Sequence, residues 1–126
     1  LSSAASDVYK RQLLFGSSAF SFDHVKEAAD KVIEDRDRAK QAIAVTKEAD
    51  EALESFTDKL DEQAALFVEL NANYNATREE MYVWSTGVAK DRREFFEQVV
   101  AFRFEFQSHL TEAEFEEIVK LKNEFY

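Results

Sequence analysis

The feature that most constrains this chain is a Phe-rich stretch between Asp91 and Leu110, DRREFFEQVVAFRFEFQSHL. Twelve consecutive residues within it, 95–106, hold five phenylalanines and two valines, in a chain otherwise rich in charged residues. An isolated element would leave this aromatic surface in water, at a free-energy cost that grows with its area. The sequence therefore predicts a fold whose other elements exist partly to cover this stretch.

The scarcity of turn-forming residues favours helices over strands. The chain has no proline and only two glycines, Gly16 and Gly87, whereas sheet-rich folds need turn residues every few positions. Alanine, glutamate, leucine and lysine are common, and these are strong helix formers. We predict an all-α fold, an elongated helical hairpin with three to four helices, forming a single domain over residues 22–126.

Charge and cysteine content exclude several classes of protein. The formal net charge is −10 and the chain has no cysteine. Strong acidity argues against a nucleic-acid partner, because phosphates are bound by clusters of lysine and arginine. It argues equally against electrostatic binding to a membrane surface. The absence of cysteine excludes thiol catalysis, thiolate zinc sites and disulfides.

The N-terminal residues divide into two segments that we set apart from the folded domain. Residues 2–12, SSAASDVYKRQ, resemble the in-frame translation of a transposase-based sequencing adapter. The resemblance implies that residues 1–12 are an adapter-derived artefact of assembled environmental or transcript reads, with the true start lost. Residues 13–21, LLFGSSAFS, have the apolar-then-small pattern of the end of a secretory signal peptide. The alternatives are an apolar terminus packed on the bundle and the end of a membrane anchor.

A long apolar repeat predicts the hairpin. From Leu53 to Phe95, apolar residues recur with a spacing of three and four, at ten of thirteen positions. This spacing is typical of a helix packed lengthwise against a partner. Three polar residues interrupt the repeat, and we interpret them as exposed positions, with a register-setting role as the alternative. These residues are Gln63, Thr77 and Asp91.

The position of the chain reversal is open between two sites. The repeat passes unbroken through the Asn-rich segment 71–75, so we predict that the first long helix continues to about Trp84. Gly87 can then end that helix, and Asp91 with Glu94 can start the next one as a capping box. A reversal near Asn73 is the alternative.

On a helix from Asp91, the Phe-rich stretch has apolar side chains around about half of the circumference, at about 100° per residue. So wide an arc needs two neighbours, or one neighbour and something outside the chain. Arg103 lies inside the arc, where it either stacks on rings or, as we favour, extends along them with its head in water. We predict an exposed partner-binding rim that consists of Phe96, Val100, Arg103 and Phe104. The alternating residues 102–106 would also suit a strand, but no second strand is evident.

Two further helix boundaries are predicted from capping residues. The charged run 34–38 is either a bend, in which Asp35 or Asp37 caps the next helix, or a solvated turn of one long helix. Thr111 and Glu114 have the spacing of a capping box at the start of a last helix.

Nothing in the sequence indicates an enzyme. The two histidines, His24 and His109, are predicted to lie in different helices, and neither has a partner at metal-ligand spacing. Neither a phosphate-binding loop nor a nucleophile elbow is present in the sequence. We expect no catalytic residues, no metal and no cofactor.

The motif Leu110-Thr111-Glu112-Ala113-Glu114 resembles the Leu-Thr-x-x-Gln motif of periplasmic stress proteins of the Spy/CpxP kind. The resemblance covers one copy of the motif and departs from it at Glu114. It implies a helical hairpin that acts as a chaperone or envelope-stress modulator. The chain would equally suit an uncharacterised family of small exported helical proteins.

Together these observations predict a non-enzymatic binding protein, exported to the periplasm or cell envelope. Its partner would be a protein or an unfolded client, with self-association as a further possibility and no nucleic acid. Contact with a membrane would occur only through an anchor encoded upstream. The alternative is a structural subunit that pairs through coiled-coil packing and attaches to a membrane complex.

Overall fold

A computed structural model describes residues 22–124, with side chains as far as Leu121. This part of the chain forms four α-helices and no strand, which confirms the predicted all-α fold. The segments 1–12 and 13–21 lie outside the described residues. The four helices are α1 (Phe22–Val32), α2 (Arg36–Ala72), α3 (Arg78–Ser108) and α4 (Glu112–Glu124).

The two long helices form an antiparallel hairpin. At about 1.5 Å per residue, α2 is about 56 Å long and α3 about 46 Å. Phe56 of α2 stacks on Phe95 of α3, and Phe67 contacts Trp84 nearer the turn. Helix α1 packs against α2 and α4 at the end of the hairpin away from the turn. We call this four-helix region the open end, and the two-helix part beyond the Phe56–Phe95 pair the hairpin arm.

The chain reverses at Asn73–Thr77, so the predicted reversal near Gly87 is wrong and the alternative is correct. The backbone N–H of Asn73 donates to Leu70 O at 3.2 Å, and Ala76 N donates to Asn73 O at 3.0 Å. The side chain of Asn73 accepts a hydrogen bond from Asn75 N at 3.0 Å. Asparagine offers this local alternative to helical hydrogen bonds, which favours a turn here. Thr77 then caps α3, accepting a hydrogen bond from Glu80 N at 3.1 Å.

Two of the three polar interruptions of the repeat meet inside the hairpin arm. The side-chain amide of Gln63 donates to a carboxylate oxygen of Asp91 at 2.9 Å, and both side chains are half-buried. The indole N–H of Trp84 donates to the backbone oxygen of Gln63 at 2.8 Å. The interpretation of Gln63 and Asp91 as exposed positions is therefore wrong. These hydrogen bonds can form in only one register of α2 against α3, and they stabilise that register.

The capping box predicted at Thr111 is confirmed, and of the alternatives for the charged run the bend capped by Asp35 is correct. The capping box predicted at Asp91 and Glu94 is wrong, because both residues lie inside α3. The charged run is a bend in which the Asp35 side chain accepts hydrogen bonds from Asp37 N at 3.0 Å and Arg38 N at 3.1 Å. Before α4, Glu114 N donates to the Thr111 hydroxyl at 3.2 Å, and Thr111 N donates to the Glu114 carboxylate at 2.8 Å. This reciprocal pair is a complete capping box.

Small residues allow α1 and α2 to pack closely at the open end. Helices α1 and α2 contribute buried alanines, and around them pack larger side chains from α3 and α4, including Phe106 and Ile118. The buried alanines of this cluster are Ala28, Ala29, Ala39 and Ala42. A second buried cluster joins Leu53 to the ring pair of Phe56 and Phe95, whose centroids are 4.4 Å apart and whose planes differ by 3°. The inward half of the Phe-rich stretch is thus covered as predicted.

The position of Gly87 in the middle of α3 gives a test of the corrected turn. A Cβ atom built at Gly87 would lie 3.8 Å from the amide nitrogen of Gln63, an ordinary contact distance. Gly87→Ala should therefore raise the free energy of unfolding by about 0.5 to 1 kcal/mol, because alanine is the better helix former. Urea denaturation followed by circular dichroism measures the change. Ala89→Gly, at an exposed position of the same helix, is the matched control and should lower it by a similar amount. A loss of stability in Gly87→Ala would instead indicate a helix end at Gly87.

Candidate functional site

The candidate site is the surface of α3 that points away from α2, and we call it the α3 outer face. It consists of Phe96, Val100, Arg103 and Phe104, the four residues predicted to bind a partner. Phe96 is 36% exposed, Val100 56% and Phe104 59%, and Arg103 is also exposed. The structure thus places all four on one accessible helix surface.

The geometry of the helix separates this face from the core. Side chains three or four residues apart share a face, whereas adjacent ones point about 100° apart. Phe95, Phe102 and Phe106 therefore pack inward, in the two buried clusters. Phe96 and Phe104 point outward, and Phe96 still touches the Phe95 ring, with centroids 5.7 Å apart. The wide apolar arc is only half covered by the described residues.

Arg103 stacks between two aromatic rings. Its guanidinium carbon lies 4.8 Å from the centroid of Phe104 and 5.0 Å from that of Phe115 in α4. A guanidinium nitrogen also donates a hydrogen bond to the Gln107 side chain. Arg103 therefore stacks on rings, which was the alternative to the favoured interpretation. Its side chain is nevertheless exposed to solvent, as the favoured interpretation predicted. Stacking against Phe115 joins the α3 outer face to α4.

The apolar part of the face is flanked by cations. Arg92 and Arg93 border a shallow groove that also includes Phe96 and Val100. Neither these two arginines nor Arg103 forms an ion pair with another of the described residues. Glu97 also lines the groove, so the face carries charges of both signs, but its three arginines are available to pair with carboxylates of a partner. The face therefore suits a surface that is apolar and carries negative charge.

The position of α4, and with it Phe115, depends on a clamp made by Arg38. One Arg38 guanidinium nitrogen donates to the Glu114 carboxylate at 2.5 Å and to His109 O at 3.1 Å. The other donates to the second Glu114 oxygen at 3.1 Å. The clamp thus holds the end of α3 and the start of α4 against the first turn of α2.

The clamp changes the titration of Glu114. The hydrogen bond from Arg38 is the main cause that lowers the pKa of Glu114 to about 2, from an ordinary value of 4.5, and the Thr111 capping bonds add to it. Burial opposes the shift, because the Glu114 side chain is only 15% exposed. The same hydrogen bond raises the pKa of Arg38. Glu114 is therefore more stable as a carboxylate in the folded state than in the unfolded state.

The histidines are placed apart, as predicted. His24 lies in α1, and His109 is the residue at which α3 ends. Among residues 22–124, no group of three or more His, Asp or Glu side chains is arranged to hold a metal ion. No helix within the same range is long and apolar enough to span a membrane.

Sequence reasoning found the outer face but missed the contacts that organise it. Arg38 was recognised only as part of a charged run, and no local pattern pairs it with Glu114, which is 76 residues away. The contact of Arg103 with Phe115 likewise depends on how α4 folds back. A signal that could have located the turn was present, since Thr77 and Glu80 have the spacing of a capping box.

Comparisons with protein-family models, with curated proteins and with solved structures each gave no match. The functional argument therefore rests on the fold and on the geometry of the α3 outer face.

Replacement of Glu114 tests the clamp through pH. Glu114→Gln keeps a side chain that suits a capping box but removes the carboxylate that Arg38 binds. At neutral pH we expect the free energy of unfolding to fall, because the ion pair with Arg38 is lost. The decrease should be only about 1 kcal/mol, since the pair is partly exposed to solvent. A carboxyl whose folded-state pKa is lowered stabilises the fold above its unfolded pKa and loses that contribution as pH falls. The difference between wild type and Glu114→Gln should thus be constant above about pH 5 and shrink between pH 4.5 and about 2.

Urea denaturation at a series of pH values measures this difference. Glu116→Gln removes the same charge from an exposed position of α4 and serves as the control, since Glu116 makes no contact with Arg38. A difference between wild type and Glu114→Gln that does not vary with pH would show that the clamp contributes no pH-dependent stability.

Proposed function

We propose that this chain is a non-enzymatic helical binding protein of the bacterial envelope that holds a protein partner or an unfolded client on the α3 outer face. The observation that carries the proposal is the exposure of Phe96, Val100 and Phe104 on a helix whose opposite side is already packed. An apolar patch rimmed by polar groups is a common mark of a protein interaction site. Val100 and Phe104 are more than half exposed, and the buried clusters form without them.

The dimensions of the face suit a peptide-like partner. Phe96, Val100 and Phe104 are four residues apart, so their side chains cover about 12 Å along the helix. That span is enough to contact successive apolar residues of a helix or an extended segment. The arginines beside it favour a partner with negative charge near its apolar residues, and the net charge of −10 helps to keep the loaded protein soluble.

The envelope assignment is supported by two features of the sequence. Residues 13–21 have the pattern of a signal-peptide end. The Leu-Thr motif at 110–114, which resembles that of Spy/CpxP proteins, coincides with the capping box that starts α4. Since a capping box also starts helices of many other proteins, the motif supports the architecture more than the activity.

A second candidate function, a structural or assembly role, is favoured by the hairpin arm. Two helices alone cannot cover each other's apolar residues on every side, and several remain exposed there. These are Leu66, Phe67, Val68, Tyr82 and Val83. A second copy, or a subunit of a membrane complex, could cover them by coiled-coil packing.

The first test is suppression of client aggregation by the full chain. We expect the chain to suppress thermal aggregation of a model client in a light-scattering assay, and Phe96→Ser with Phe104→Ser to abolish this suppression. The helical circular dichroism signal should persist, because these rings are largely outside the core, with a stability loss of about 1 kcal/mol. Tyr74→Ser is the matched control, since it removes an aromatic ring that is 99% exposed at the turn.

Three outcomes would contradict the proposal. Unfolding of the double variant would show that Phe96 and Phe104 belong to the core. A loss of activity in Tyr74→Ser would show that client binding is not specific to the α3 outer face. A stable dimer without client activity, dissociated by Val68→Ser with Val83→Ser, would favour the assembly role. Analytical ultracentrifugation distinguishes the last outcome.

A further inference from the structure

An apolar cavity of about 280 Å³ lies at the open end, where all four helices meet. Aromatic rings from three of the helices line it, namely Phe22, Phe102, Phe106 and Phe115. The other lining residues are aliphatic, apart from Thr46 and Arg103. The cavity shares Arg103 with the α3 outer face, but the apolar residues of that face, Phe96, Val100 and Phe104, do not line it.

The two polar lining residues differ in their capacity to bind a ligand. The hydroxyl of Thr46 donates to Ile43 O at 2.6 Å, so its proton is already used within α2. Arg103 has five N–H donors, and its hydrogen bond within the described residues goes to Gln107. Its guanidinium lies over Phe115, a wall of the cavity, while its side chain is exposed to solvent. Among the described lining residues, the one charged group is therefore a cation at the rim.

The volume sets the size of a ligand. An apolar cavity of about 150 Å³ stays dry and binds benzene, which has six carbon atoms. A cavity of about 280 Å³ therefore accommodates about 10 to 12 non-hydrogen atoms on the same scale. Apolar walls with a few polar groups that fix orientation are the usual composition of a small-molecule site.

We propose that this cavity binds a medium-chain aliphatic carboxylate, with its chain among the rings and its carboxylate on Arg103. Arginine binds carboxylates through paired N–H donors, and this arginine has no carboxylate partner among the described residues. The net charge of −10 repels anions at a distance, but charges further than about 8 Å are screened at physiological ionic strength. The site thus adds a small-molecule ligand to the proposed protein-binding activity and does not depend on it.

Calorimetric titration of the full chain with decanoate, below its micellar concentration, tests the proposal. We expect one binding site per chain and about 10- to 100-fold weaker binding of decanol, which has the same chain without the charge. Arg103→Gln should weaken decanoate binding by the same factor and leave decanol binding unchanged. Phe96→Ser should leave both unchanged, which separates this site from the apolar residues of the α3 outer face.

A cavity-filling variant locates the bound chain. Ala49→Leu places three more carbon atoms into the cavity from α2 and should abolish decanoate binding. Val119→Phe fills it from the rim, at a position that is 41% exposed, and serves if Ala49→Leu does not fold. Circular dichroism of each variant confirms that the helices persist.

Several results would overturn the proposal. These are absence of decanoate binding to the full chain, binding at many sites, and binding that Ala49→Leu and Val119→Phe leave intact. Equal affinities for decanoate and decanol would show that Arg103 does not bind the carboxylate. Binding that begins only when Leu14→Ser with Phe15→Ser is introduced would identify this chain's own segment 13–21 as the occupant.

Discussion

A helix with apolar side chains around half of its circumference cannot be covered by one neighbouring helix, and the rest of this structure follows from that constraint on α3. Helix α2 covers one side of the arc, where Phe95 stacks on Phe56 at a centroid distance of 4.4 Å. Helices α1 and α4 extend the cover only at the open end. The remaining side of the arc keeps Val100 and Phe104 exposed, and this is why we propose a binding role.

The Arg38 clamp turns this packing into a defined geometry. It fixes the end of α3 and the start of α4 against α2 through His109 O and Glu114. Because α4 begins there, Phe115 reaches the guanidinium of Arg103 and also forms one wall of the cavity. Charged hydrogen bonds of this kind contribute about 1.5 to 3 kcal/mol when well formed, but here their main consequence is the placement of Phe115.

The sequence was sufficient to predict the fold class, the outward position of the rim and the capping box of Thr111 and Glu114, because each depends on local spacing. The turn was misplaced because the apolar repeat keeps its phase across Asn73, so periodicity alone could not reveal the break. The competing local signals, an asparagine that folds back on its backbone and the capping pair of Thr77 and Glu80, were outweighed by that repeat. Contacts across distant segments, such as Arg38 with Glu114, depend on tertiary packing that no local pattern encodes.

Arg103 belongs both to the α3 outer face and to the rim of the cavity, so the two proposed activities share one side chain. A carboxylate would bind the N–H edge of the guanidinium, whose face stacks on Phe104 and Phe115. A protein partner that contacts the same guanidinium would change the affinity for the carboxylate. By thermodynamic linkage, the carboxylate would then change the affinity for the partner by the same factor. The position of Arg103 thus couples the two proposed sites, with the small molecule as a regulator of client or partner binding.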